Sequence, residues 1–275
     1  MDALTHLFTY FPFRTDLFFI GNLCRRGSFD EPNKGYLHFI RQGACQLQLY
    51  NGKSQYIHKP SIIFSPSQVL HHIQPLDNTG LDIFCISFDF GSGVRNPITQ
   101  TLNNIVVLAL EDSPELQVIA NQIFEENTKQ TCGYQAAVHH LCAFFTIQVV
   151  RCCLAKKLLQ IGLLQGLTDK YLSGLLLEIH QYPEKNWQVE MMAEKALMSR
   201  SSFSSYFKAV MGIPPMSYLA NWRIAVAQML LLKGLPVSIV AEKVGYSHNS
   251  VLTRIFQREF GLTPTEWLMK HREMS

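Results

Sequence analysis

Val189-x-x-x-Ala193-Glu194-Lys195-x-x-Met198-Ser199 returns forty-eight residues later as Val237-x-x-x-Ala241-Glu242-Lys243-x-x-Tyr246-Ser247. Beyond the serines the offset grows to forty-nine, and Phe203, Phe207, Gly212, Pro215 and Tyr218 answer to Leu252, Phe256, Gly261, Pro264 and Trp267. The copies share their apolar positions, their turn and their glycine-proline stop, which chance matching does not produce. One small helical unit has been built twice.

Each copy reads as helix, tight turn, helix. In the second, Pro236 begins a helix because its missing N–H would be unpaired there anyway, and Ile239, Val240 and Val244 supply an apolar stripe. Gly245 closes that helix and Ser247 is placed to cap the next. There Leu252, Ile255, Phe256 and Phe260 recur at helical spacing, while polar side chains fill the other positions. A helix with an apolar back and a hydrogen-bonding face, set after a short glycine-containing turn, is the second element of a helix-turn-helix. Such a helix enters the DNA major groove.

The run Ala241-x-x-x-Gly245-Tyr246-Ser247, then Leu252-x-Arg254-x-Phe256-x-x-x-Phe260-Gly261-x-Thr263-Pro264-x-x-Trp267, resembles the DNA-binding domain of the AraC/XylS transcription regulators over nearly the whole family pattern. Leu252 and Trp267 stand where that pattern commonly has phenylalanine and tyrosine, both at structural positions. The resemblance implies two units joined by a long helix, from about Pro215 to Lys233. Such a helix spans roughly 28 Å, close to the ~34 Å turn of duplex DNA, so that two recognition helices face successive major grooves.

The apolar back of each recognition helix assigns the residues that face DNA. In the first unit these are Arg200, Ser201, Ser204 and Ser205, with Lys208 beyond; short serines suit phosphate gripping or weak base reading. In the second they are His248, Asn249, Ser250, Thr253, Arg254 and Gln257. Asparagine suits adenine and arginine suits guanine in the major groove. The competing readings are a surface salt bridge for Arg254 and a plain solvent contact for Gln257. Phe203, Phe207, Tyr218, Phe256, Phe260 and Trp267 are core positions and are assigned no DNA contact.

A chain of 275 residues with 47% hydrophobic content has room for two cores. The expected division is a sensing and dimerisation domain at 1–165 and a DNA-binding domain at 167–275. From Leu167 onward there are 12 Lys and Arg against 9 Asp and Glu, whereas residues 1–166 carry 12 of each. The excess of +3 permits nucleic acid as partner without identifying it. No run of eighteen apolar residues and no secretory leader pattern appears, so a cytoplasmic chain with no membrane partner is expected. Seven cysteines, odd in number and without a C-x-x-C pair, read as reduced and mostly buried thiols.

The first ninety residues follow another period. Tyr36–Ile40, Cys45–Tyr50, Gln55–His58, Ile62–Phe64 and Leu81–Phe90 are short alternating or apolar runs between turn signals, among them Asn51-Gly52, a strong hairpin signal, and Ser65-Pro66-Ser67. They predict a small barrel or jelly roll. From Pro97 to Gln165 the period becomes helical, with one stripe at Leu116, Ile119, Ala120 and Ile123 and another at Val138, Leu141, Cys142, Phe145 and Val149. The fold class is therefore α+β: a small barrel with a helical dimerisation segment, then an all-α domain. That order is similar to AraC-type regulators with a cupin-like sensor.

Metalloenzyme cupins carry His-x-His and a following Glu on one strand. Tyr36-Leu37-His38-Phe39-Ile40 offers one histidine and no acidic partner before Gly43. No catalytic residue, metal or cofactor is expected, and ligand binding is the better expectation for the barrel. Its candidate residues are His38, Arg41 and His72; His71 and His72 both follow the Ser65-Pro66-Ser67 turn, and satisfied structural histidines and zinc ligation are the other readings of these imidazoles. The expected partners are double-stranded promoter or operator DNA, a small-molecule effector, RNA polymerase and a second copy of the chain. The alternatives are a cupin-type metalloenzyme or DNA alkyl-transfer protein, and a regulator whose first half only dimerises.

Overall fold

In a computed structural model, which describes residue 5 and residues 14–31, 34–66, 69–89, 104–158 and 162–272, the alternating runs become two antiparallel sheets. Their strands are β1 (Arg14–Leu23), β2 (Gly27–Phe29), β3 (Gly35–Gln42), β4 (Cys45–Leu49), β5 (Ser54–Ile57), β6 (Ser61–Ser65), β7 (His71–Pro75), β8 (Leu81–Asp89) and β9 (Val106–Ala109). One sheet has the order β1-β8-β3-β6-β9 and the other β2-β7-β4-β5. Asn51-Gly52 does join a hairpin, β4 to β5, with Cys45 opposite Ile57.

The period of two explains both faces of the larger sheet. Tyr36 and Ile40 of β3 join Leu47, Ile63, Ile73, Ile83 and Cys85 in the barrel interior. The alternate residues Phe39 and Phe84 point the other way. They stack at 5.0 Å between ring centroids and meet Phe124 and Phe145 of two helices at 5.3–6.1 Å. Those helices are α1 (Pro114–Lys129) and α2 (Tyr134–Ala155). Among the described residues α2 is the one helix long and apolar enough to cross a bilayer. Here its Cys142, Phe145 and Val149 are buried.

Four strands were not foreseen. In β7 the buried alternation is carried by His71, Ile73 and Pro75, so a histidine and a proline occupy apolar positions. β9 falls inside the stretch expected to be helical from Pro97; its Val106-Val107 pair is β-branched and its edge place beside β6 needs one neighbour only. β1 is half-exposed along its length and β2 has three residues, too little apolar alternation to stand out. Residues 97–103, and Ser67 and Phe90 at the ends of expected features, lie outside the described residues.

The helical unit contains α3 (Leu163–Thr168), α4 (Ser173–Gln181), α5 (Val189–Lys195), α6 (Arg200–Met211), α7 (Pro215–Leu232), α8 (Val237–Lys243), α9 (Asn249–Phe260) and α10 (Pro264–Arg272). Among the described residues, those from 14 to 158 group with the barrel and those from 162 onward with the helical unit. The reason is α3: Gly162 N–H donates to the Val210 carbonyl at 2.9 Å. A Cβ on Gly166 would lie 2.3 Å from Met211 Sδ, so α3 belongs with α6. The doubled unit repeats to the level of ring geometry. Phe207 meets Tyr218 edge-on at 5.7 Å, and the corresponding Phe256 meets Trp267 edge-on at 6.0 Å. Between the copies, α7 has 18 residues and is about 27 Å long.

Candidate nucleic-acid interface

Both helix-turn-helix units are closed by the same hydrogen bonds. After α5, Leu197 N–H donates to Glu194 and Met198 N–H to Ala193; after α8, Gly245 N–H donates to Glu242 and Tyr246 N–H to Ala241, all at 2.9–3.0 Å. This double closure needs one residue in the left-handed region. It is Gly245 at φ +79° in the second unit and Leu197 at φ +58° in the first. The two turns thus share their hydrogen bonds and a left-handed residue, though only one copy uses the residue that adopts that conformation without strain.

The recognition helices then start differently. Ser199 caps α6, accepting from Ser202 N–H at 3.3 Å. The corresponding Ser247 does not cap α9, contrary to expectation. The offset grows by one at this point, so His248 occupies the N-cap position and makes no side-chain cap bond. The extra residue leaves His248, Asn249 and Ser250 exposed at the leading end of α9.

Against a buried back of Phe203, Phe207 and Met211 in α6 and Leu252 and Phe256 in α9, Ser201, Ser205, Ser250 and Arg254 lie on the opposite face, while Arg200 and Asn249 are exposed as the first residues of their helices. Arg200, Ser201, Ser205, Lys208, Arg254 and Gln257 are exposed, and Ser204 and Thr253 are half-buried. Arg200 pairs with Glu190 of α5 at 3.0 Å, both side chains more than half exposed. Such a pair is worth about 0–1 kcal/mol and yields readily to a phosphate. No side chain among the described residues pairs with Arg254, so its guanidinium fork is open to a base edge or phosphate.

Sequence reasoning did not foresee the hydroxyl geometry. Ser204 donates to the Arg200 carbonyl at 2.9 Å, and Thr253, at the matching position, donates to the Asn249 carbonyl at 3.0 Å. With their protons committed, these oxygens present lone pairs, which suit the amino groups of cytosine or adenine.

In the barrel the three candidate residues do not converge. His38 is fully buried, its Nε2 2.9 Å from His71 Nε2 and its Nδ1 3.0 Å from Cys85 Sγ; His71 Nδ1 lies 2.7 Å from the Val69 carbonyl. One tautomer set satisfies the chain. His71 donates to Val69, His38 donates to His71, and the Cys85 thiol donates to His38. Burial first, and the facing His71 second, hold His38 well below the ordinary histidine range; burial also lowers His71. Burial pushes the Cys85 thiol up. His72 points outward to Ser28 Oγ at 2.9 Å. Arg41 pairs with Asp82, and its guanidinium lies 3.9 Å from the Phe124 ring centroid. Cys85 was missed because it lies far from His38 in sequence, and of the adjacent His71 and His72 it is His71 that turns inward, as a satisfied structural histidine. Among the described residues no group of three His, Cys, Asp or Glu is placed to hold a metal ion.

A two-sheet barrel with packed helices, followed by two helix-turn-helix units that expose polar faces, defines a DNA-binding transcription regulator with an attached cupin-like domain. Residues 2–155 match the family described as Cupin, and residues 192–270 match the family described as Helix-turn-helix domain. The chain belongs to the cupin-bearing, AraC-type DNA-binding transcription regulators. Among its relatives is the RCS-specific HTH-type transcriptional activator RclR of Escherichia coli K12, 28% identical over 242 residues, which are 86% of this chain and 85% of that protein. The HTH-type transcriptional regulator AlkR of Acinetobacter baylyi is 26% identical over 263 residues, 84% of this chain and 86% of that one. Among solved structures, ToxT of Vibrio cholerae, with a bound unsaturated fatty acid, aligns at 13% identity over 94% of both chains, with a TM-score of 0.42. The DNA-binding domain of AdpA, solved with a target DNA, aligns at 24% identity over 38% of this chain and 96% of that one, with a TM-score of 0.36.

Proposed function

We propose that the chain reads its operator chiefly through α9, with His248, Asn249, Ser250, Thr253, Arg254 and Gln257 toward DNA, while Arg200, Ser201, Ser204, Ser205 and Lys208 of α6 mainly grip phosphate. The observation that carries this reading is an exposed Arg254 with no side-chain partner among the described residues, on a helix that opens with exposed Asn249 and Ser250 and whose back is buried. Each good bidentate base contact contributes about 1–3 kcal/mol of discrimination. The protein acts in the cytoplasm and is not an enzyme in this reading. A small-molecule effector of the barrel binds two states with different affinity and so biases one of them, and RNA polymerase is the partner at activated promoters. A second copy of the chain pairs through the α1–α2 hairpin, whose groove includes Ala137, Leu141 and Phe144. Val118 and Phe144 stand 61% and 47% exposed there.

A genome-wide occupancy map of the wild type and of the Asn249→Ala/Arg254→Ala double variant tests the assignment. Discrete wild-type peaks that vanish in the variant are expected. Peaks that persist move specificity to α6, and no preference for any site over bulk DNA removes the reading.

A further inference from the structure

We propose that Arg223 is a positioning residue that sets the separation and rotational phase of the two recognition helices, by tying the turn of the second unit to the segment that leads into the first. The proposal rests on the DNA-binding reading and concerns a residue outside both recognition helices.

Arg223 lies mid-way along α7. Its Nε donates to the Pro183 carbonyl and its Nη2 to the Lys185 carbonyl, each at 2.8 Å. Both acceptors belong to the segment between α4 and α5, which is itself held at several points. Trp187 Nε1 donates to the Tyr182 carbonyl at 2.9 Å. Glu178 of α4 binds Lys185 at 2.7 Å and Lys195, at the end of α5, at 2.6 Å. The other side of the guanidinium faces the Tyr246 ring, 5.5 Å from its centroid. A Cβ on Gly245 would lie 2.7 Å from Nη2 and 2.8 Å from both Cα and O of Glu184. The turn of the second unit therefore abuts the entry segment of the first, with Arg223 between them.

The helix α7 sets only one separation. The second unit leaves it through Lys233–Pro236, where Gly234 has φ +84°, and apolar packing against α7 is non-directional. A planar guanidinium with two aimed donors and an aromatic face is directional, and it acts at the turn, away from that joint. Duplex DNA turns about 35° per base pair, so a unit free to swing would accept half-sites at several spacings.

Selection of bound duplexes from a randomised DNA pool by the full-length protein, followed by affinities on a series with one, two or five base pairs added between the selected half-sites, reads this device. The wild type is expected to lose about 100-fold or more with five added pairs, which turn the second site to the opposite face. In Arg223→Ala that penalty shrinks to under about tenfold, with binding to a single half-site retained; Arg223→Lys, charged but without the fork, falls between. Tyr246→Leu, which removes the ring face, is expected to relax spacing in the same direction and supplies the answer if Arg223→Ala does not fold. A uniform loss across all spacings and single half-sites, or an unchanged spacing profile in folded variants, overturns the proposal. A wild type that selects no sequence overturns it together with the DNA-binding reading.

Discussion

The turn of the helix-turn-helix invites opposite substitutions at equivalent positions. Leu197 is 88% exposed and sits at φ +58°. A non-glycine residue in that region costs about 1–2 kcal/mol, and glycine returns about 0.4–1 kcal/mol of that through its greater freedom in the unfolded chain. Almost no apolar contact is lost with a side chain so exposed, so Leu197→Gly stabilises the helical unit by about 0.5–1 kcal/mol. At Gly245 the same left-handed geometry is joined by crowding. The new Cβ would lie 2.8 Å from the backbone of Glu184, which cannot rotate away as a side-chain tip can. Adding an overpacking cost of about 1–3 kcal/mol to the backbone cost, and subtracting about 0.4–1 kcal/mol for the lower freedom of alanine in the unfolded chain, Gly245→Ala destabilises by about 1–4 kcal/mol. All three tryptophans, Trp187, Trp222 and Trp267, are buried in the helical unit, so urea unfolding of the full chain followed by tryptophan fluorescence reports that unit. The midpoint rises for Leu197→Gly and falls for Gly245→Ala; the first variant also melts roughly 4 °C higher. A lower midpoint for Leu197→Gly, or a Gly245→Ala variant within a few tenths of a kcal/mol of wild type, refutes the argument.

The barrel loses stability in acid. His38 and His71 are held below the ordinary value of 6.5 when folded, so below that pH the unfolded chain binds more protons. Their stabilisation is complete above about pH 6.5 and declines on acidification, by up to about 1.4 kcal/mol per pH unit for each histidine. Circular dichroism of the sheet between pH 7 and 5 should show this, with a shallower slope in His38→Leu; a flat profile contradicts it. Iodoacetamide at pH 8 labels the exposed Cys24 and Cys132 first, because burial raises Cys45 to about 11 and Cys142 and Cys153 to about 12. Mass spectrometry showing Cys142 labelled as fast as Cys132 in the folded chain would count against the buried placement. Phe256→Ala empties the back of α9 and costs about 3–5 kcal/mol; specific DNA binding is lost with it, and retained binding would show that α9 is dispensable.

The exposure of α6 and α9 was legible because their burial is decided locally. With Phe203, Phe207, Leu252 and Phe256 fixed at helical spacing, 3.6 residues per turn puts Ser201, Ser205, Ser250 and Arg254 on the far face, whereas Arg200 and Asn249, three and seven residues ahead of those apolar positions, are exposed because they open their helices. The strands that escaped notice depend on distant pairing. β7 is a strand because β2 and β4 supply its hydrogen bonds on both sides, and β9 because β6 does so on one. No local period announces them.

From the amino-acid order alone came the doubled unit, its turns and stops, the polar faces of its recognition helices, and the barrel that precedes it. All rest on interactions between residues a few positions apart, repeated often enough to outweigh noise. The tertiary structure alone decided the rest. His38 meets His71 and Cys85, which lie 33 and 47 residues away, and Arg223 meets Pro183, Lys185 and Tyr246. Contacts of that kind form only when packing brings remote segments within hydrogen-bond reach, and a polar side chain's partner is set by that approach rather than by its neighbours in the chain.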